Sequence, residues 1–148
     1  MHIYFSDHYT LPLPNDHRFP MTKYRMLRDY LVTNEIISEK ELQESPLATE
    51  DILQLAHTDE YIQAMKTGLV DVQIIKRIGF PWSFQLYQRS CATVGGALES
   101  AKSALTNQIA GNLAGGTHHA HADRGIFETE KSCARRRKAC LSAGEANA

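Results

Sequence analysis

Asn112-Leu113-Ala114-Gly115-Gly116-Thr117-His118-His119-Ala120-His121-Ala122-Asp123-Arg124-Gly125 is the stretch in which this chain concentrates its chemistry. It follows a short apolar run, residues 109–113, that reads as a buried strand. The Gly115-Gly116 pair permits a sharp turn at the strand's end and close approach of a ligand. Of the 7 histidines, His118, His119 and His121 then fall within four positions. Histidine is the side chain whose unperturbed charge change falls between about pH 5 and 8, so adjacent imidazoles at a strand exit can act as general base and general acid. On spacing alone, a surface cluster or an adventitious metal site is the commoner reading of histidines on a loop.

Working outward, the residues before this stretch alternate strand and amphipathic helix signals, the pattern of an α/β layer structure. Ile3-Tyr4-Phe5 reads as a first strand. Pro12, Pro14 and Pro20 keep residues 7–20 out of helix, which puts His8, Asp16, His17 and Arg18 on a loop after a strand, where open α/β sheets place their sites. A helix is expected over residues 22–33, with Tyr24, Leu27 and Leu31 on one face and Asn34 as its stop. Thr49 and Thr58 each precede a pair of acidic residues and read as helix caps, with Gly68 closing the second helix. Val70, Ile74, Ile75 and Ile78 mark another helix, ended by Gly79-Phe80-Pro81. Ser83 caps the longest one, running to about Leu105, whose stripe Val94, Leu98, Ala101 and Leu105 is expected to face a core. Gly95-Gly96 inside it costs about 1 kcal/mol per glycine relative to alanine, which implies close packing against another backbone.

The 148 residues have the length of one domain, and 43% hydrophobic with 22% charged residues excludes wholesale disorder. Sixteen Lys+Arg against 17 Asp+Glu leave a net charge of -1, without the basic field of a nucleic-acid binder. No apolar run approaches the roughly 18 to 20 residues of a membrane span, and the first residues lack the pattern of a signal peptide, so a cytoplasmic location is expected. Cys91, Cys133 and Cys140 are odd in number and lack C-x-x-C spacing, which argues against a disulfide framework and a cysteine zinc site.

The segment from Asn112 to Ala120, with Asp123-Arg124-Gly125 after it, resembles the tandem-histidine motif of the zinc-dependent histone deacetylase family, including its bacterial deacetylase and acetoin-utilisation relatives. His17-Arg18-Phe19-Pro20-Met21 with Lys23-Tyr24, His57-Thr58-Asp59-Glu60-Tyr61 and Gly95-Gly96 support the resemblance, which covers residues 1–125. It implies an arginase–deacetylase-type α/β fold, a parallel sheet sandwiched by helices, with zinc as cofactor at the sheet's C-terminal edge. It also implies hydrolysis of acetyl-lysine or a related small acetyl-amide. His118 and His119 are then the proton-handling pair and His119 the general base; His121 has no role in the family and is expected to face solvent.

The resemblance stops after Gly125, where the chain continues Ile126-Phe127-Glu128-Thr129-Glu130-Lys131. The family's aspartate-x-histidine zinc ligands, its later carboxylate ligand, the aspartates that orient the histidines and its tyrosine have no counterpart, and no Asp follows Asp123. Composition changes at the same place: residues 126–148 carry a net charge of +2, against -3 for residues 1–125. The expectation is therefore a truncated deacetylase domain over 1–125, lacking metal ligands, and an unrelated disordered tail over 126–148 created by a frameshift or misjoined frame. The tail's Arg135-Arg136-Arg137-Lys138 run reads as a solvated patch. Two competing readings remain: an interaction protein that self-associates or pairs through the open sheet edge, and a metal-binding module built on His118, His119 and His121.

Overall fold

Ile3 and Tyr4, each 8% exposed, sit at the centre of a parallel sheet, and their opposite orientations on one strand explain why both sheet faces are covered. In the computed structural model the described residues are 1–115 and 118–127. Strand β1 (His2–Phe5) pairs in parallel with β2 (Leu42–Glu44) on one side and with β3 (Ala110–Asn112) on the other, in the order β2-β1-β3. Ile3 lies opposite Leu42 and Gly111. Ser45 N donates to Phe5 O at 2.8 Å and Leu113 N to Tyr4 O at 2.8 Å, carrying both ladders one step further.

Parallel neighbours need crossovers, and helices supply them. Helix α1 (Lys23–Thr33) connects β1 to β2; α2 (Glu50–Gln54), α3 (Asp59–Thr67), α4 (Val72–Ile78) and α5 (Phe84–Asn107) lead to β3. The Tyr4 hydroxyl lies 2.9 Å from Ser103 Oγ of α5, so His2 and Tyr4 face that helix. Phe5, on the other face, lies under the guanidinium of Arg28 of α1 at 4.8 Å, and Arg28 pairs at 3.0 Å with the buried carboxylate of Asp7. The sheet is thus held between helices, as expected.

Local signals were good guides to helix ends. Thr58 Oγ1 accepts from Tyr61 N at 3.3 Å and Ser83 Oγ from Leu86 N at 3.2 Å. Gly68 and Gly79 close α3 and α4 at φ +83° and +77°. Gly68 is fixed twice over, because a Cβ there would lie 2.8 Å from the Trp82 ring. Thr49 precedes α2 in extended backbone, but its side chain caps nothing; Glu50 instead ties α2 to α3 through Lys66 at 2.6 Å and Gln63 at 2.8 Å.

Two hydrophobic faces differ from expectation. On α1 only Tyr24 is buried, and Leu27 is exposed. On α5 the stripe Val94, Leu98, Ala101 and Leu105 is not the core face: Leu105 is 90% exposed, and Leu98 and Ala101 are exposed too. The buried side is Leu86, Arg89, Cys91, Ala92, Gly95 and Gly96. This side is chosen because missing side chains let the 45–48 segment and β3 come close. A Cβ on Gly95 would meet the Pro46 carbonyl and lie 3.0 Å from Ala48 N, and one on Gly96 would lie 2.9 Å from Ser45 Cβ. Gly95-Gly96 therefore has the close-packing role the sequence implied.

The core lies between the helices on either side of this contact. One cluster joins Leu11, Met65, Ile78, Phe80 and Leu86; a second joins Leu53, Ile62 and Cys91. Among the described residues, no helix is long and apolar enough to cross a membrane. Gly116, Thr117, Cys133, Cys140, the Arg135-Arg136-Arg137-Lys138 run and the tail from residue 128 lie outside the described residues.

Candidate active site

The exit of β3 is pinned by one side chain. Asn112 Oδ1 accepts from Ala114 N at 3.1 Å while its Nδ2 donates to Thr93 O of α5 at 3.3 Å. The missing Cβ of Gly96 makes room for that amide, since a Cβ there would lie 3.1 Å from Asn112 Nδ2. Ser100 Oγ sits 2.7 Å from Gly96 O and 2.9 Å from Gly111 O, stitching the same helix to the same strand. Beyond buried Ala114, Gly115 is exposed with open space where a Cβ would be.

The histidines then lie on a strand, where the sequence suggested a loop. Strand β4 (His118–His121) pairs antiparallel with β5 (Arg124–Phe127), with His119 opposite Ile126 and His121 opposite Arg124. The connection is the two-residue turn Ala122-Asp123, and such a turn lets flanking strands satisfy each other's backbone groups. β5 runs through the domain boundary expected after Gly125.

His119 is half-buried and stands on the wall of a cavity of about 220 Å³. Most of that wall is apolar, with Leu11, Phe19, Leu53, Ile62, Ile78 and Phe80 contributing. The polar groups bordering it include His57, Tyr61, Arg89 and Cys91. His118 lies on the same strand; its side chain is outside the described part of the structure. His121 is exposed, as expected, and contributes its carbonyl, which accepts from His57 Nδ1 at 2.8 Å. Of the first-loop residues, Leu11 and Phe19 reach the cavity, whereas His8, Asp16, His17 and Arg18 do not border it. His8 packs at a tilt against Tyr9, and His17 Nε2 lies 3.3 Å from Gly79 O beside a separate surface pocket.

Sequence reasoning assigned no role to Arg89, Tyr87 or Asn112. Arg89 is 8% exposed: it donates to Tyr9 O at 2.9 Å and lies 4.2 Å over the Tyr24 ring, a cation–π contact in an apolar setting. An arginine on a helix face flanked by apolar residues is the only signal that could have flagged it.

Burial holds several protons in place around the cavity. It pushes the Tyr87 hydroxyl up to about 12, helped by the neighbouring Cys91 thiol and the Glu50 charge. Burial likewise raises Cys91 and Tyr61. In the unfolded chain these groups lose their protons first. Their stabilising contribution is therefore complete below about pH 9 and is lost as pH rises through about 12. The thermal midpoint, followed by circular dichroism, is expected to stay flat up to about pH 9 and to fall between about 9 and 12. Tyr87→Phe should make the upper part of that fall shallower; an unchanged slope would remove Tyr87 as its source.

Whether these residues fit the zinc implied by the resemblance can be judged from their donors. Among the described residues, no group of three His, Cys, Asp or Glu side chains converges to hold a metal ion. His57 Nδ1 is committed to a carbonyl, and burial opposes a Cys91 thiolate. A catalytic zinc needs three protein ligands and an open position, so the described residues do not fit it.

A family model described as "Histone deacetylase domain" matches residues 17–126. An uncharacterized protein of Picosynechococcus sp. is 38% identical over 118 residues, a match covering 80% of this chain and 39% of that protein. The acetoin utilization protein AcuC of Bacillus subtilis is 29% identical over 132 residues, covering 82% of this chain and 34% of AcuC. Among solved structures, a histone deacetylase homologue from Aquifex aeolicus aligns with a TM-score of 0.63 at 24% identity, over 83% of this chain and 36% of that one. The chain thus spans little more than a third of the length of the relatives it matches.

Proposed function

The chain belongs to the histone deacetylase family, and from that membership we propose that it provides the proton-transfer segment of a hydrolase acting on acetyl-lysine or a similar small acetyl-amide. The observation that carries this reading is that His119 follows the exit of a parallel strand and stands on the wall of a largely apolar cavity that opens to solvent. His119 takes a proton from the water that attacks the acetyl carbonyl carbon. As the C–N bond breaks, the departing amine nitrogen gains a proton from the histidine pair, leaving acetate and a free amine. The half-buried ring of Phe19 and the side chains of Leu11 and Ile78 give the cavity apolar walls, from which a bound acetyl group would displace water, strengthening interactions with developing charge. The described residues do not hold the zinc of the proposed hydrolase.

Two assays test the reading. With zinc supplied, the 148-residue chain is expected to release no acetate from an acetyl-lysine peptide above background. Turnover clearly above background, abolished in His119→Ala, would instead make this chain a complete hydrolase. In the second assay, residues 1–125 replace the matching part of the Picosynechococcus relative, and the graft is expected to deacetylate the peptide in a zinc-dependent way. A folded, zinc-loaded graft without turnover, alongside an active parent, would overturn the proposal.

A further inference from the structure

Among the described residues, the β4–β5 hairpin pairs with itself, and the parallel sheet contains β1, β2 and β3 but neither hairpin strand. Its position relative to the cavity must therefore come from other contacts: α4 packs against β5, and the start of α3 supplies the hydrogen bonds. Thr58 N donates to Ala122 O at 2.8 Å, and the His57 ring meets the next carbonyl along, His121 O, at 2.8 Å from Nδ1. Because a carbonyl can only accept, His57 carries its proton on Nδ1; protonation at Nε2 would leave this bond intact. One turn on, Tyr61 closes the contact from the β5 side, where a Cβ on Gly125 would lie 3.3 Å from the Tyr61 hydroxyl and 3.5 Å from Ile78 Cγ1. The His57 and Tyr61 rings lie 5.4 Å apart, each limiting the other. Thr58 meanwhile caps α3 with its hydroxyl, and its amide, which has no acceptor within the helix, is available to the hairpin.

We propose that His57-Thr58-x-x-Tyr61 is a clamp that fixes the hairpin at three points, with His57 as a positioning residue for His119. Two adjacent carbonyls and one glycine on the opposite strand are not collinear, so together they remove rotation as well as translation. His119 stands two residues from the clamped carbonyl, about 6.6 Å along the strand. A swing of about 10° about His121 would carry it by about 1 Å, and displacements of that size cost about 100-fold in well-oriented reactions. That catalytic consequence rests on the hydrolase reading proposed above; the clamp itself does not.

The test uses the 148-residue chain and two substitutions of one residue. His57→Phe keeps a ring against Tyr61 but removes the donor. His57→Asn removes the ring but offers an N–H near the Nδ1 position. Amide hydrogen exchange of residues 119–121 and 124–126 is read by NMR, together with the imidazole signals of His119. His57→Phe is expected to accelerate exchange of the hairpin amides about tenfold, consistent with losing one hydrogen bond, and to move the His119 signals toward those of a free histidine. The α5 amides should stay unchanged, and His57→Asn should restore the wild-type pattern. Unchanged hairpin exchange and His119 signals in His57→Phe would overturn the clamp. So would equal acceleration in α5, which marks general loss of stability, or failure of His57→Asn to restore the pattern. None of these readouts involves turnover, so a chain that hydrolyses nothing can still confirm or sink the clamp.

Discussion

Gly95→Ala is expected to lower the thermal midpoint by about 5–10 °C, corresponding to about 2 kcal/mol or more for a domain of this size. Helix propensity alone predicts the reverse, since alanine is favoured over glycine by about 1 kcal/mol inside a helix. The steric term decides the sign. The added methyl would meet the Pro46 carbonyl, with Pro46 C at 2.9 Å and Ala48 N at 3.0 Å, all of them backbone atoms that cannot rotate away. That backbone is itself held: Ala48 N donates to Cys91 O at 3.0 Å and Ser45 N to Phe5 O at 2.8 Å. Relief would require moving α5 off the sheet, opening the contact that also seats Asn112. Ala101→Gly, on the exposed side of the same helix, should cost only about 1 kcal/mol. A Gly95→Ala protein that melts at or above the wild-type temperature would show that the close approach does not exist.

The same helix explains what was legible beforehand. Caps and stops are written locally, in residues whose side chains or φ angles act within one turn, and so Thr58, Gly68, Gly79 and Ser83 were readable one at a time. The buried face of α5 was not, because a periodicity argument weighs apolar side chains and cannot weigh their absence. Val94, Leu98, Ala101 and Leu105 scored as a stripe, whereas the real contact is made where two glycines and an alanine let backbones approach. Strand β2 was missed for a related reason. Leu42-Gln43-Glu44 has no alternation of its own, and its partner β1 supplies the ordering.

The candidate site was legible in its chemistry and not in its geometry. The Gly115-Gly116 pair and the histidines marked a segment from which His119 reaches the wall of the cavity. The hairpin was hidden because His118 to His121 and Arg124 to Phe127 pair through backbone, which leaves little trace in residue types. The His57-Thr58-Asp59-Glu60-Tyr61 string was visible only as a match without a task. Its task is a contact between residues about 64 positions apart, and such a contact is created by the fold.

His119→Ala, placed in the graft of residues 1–125 onto the Picosynechococcus relative, is expected to lower kcat by 10²- to 10⁴-fold, roughly 3–5 kcal/mol of transition-state stabilisation. The loss should fall on kcat and leave KM nearly unchanged, because a general base contributes as the proton moves and little to ground-state binding. Deleting one imidazole from the cavity wall also removes packing, so the comparison needs a partner that separates structure from chemistry. His121→Ala provides it: that residue stands two positions away on the same strand, but its side chain is exposed and its carbonyl, which the substitution keeps, makes the contact with His57. His121→Ala should therefore retain kcat within about threefold of the unsubstituted graft, in line with the small effects of surface changes. If both substitutions cost the same, the strand matters only as a scaffold and His119 is not the base. If neither matters while the graft turns over, the proton is handled elsewhere, and the tandem-histidine reading of this chain fails at its centre.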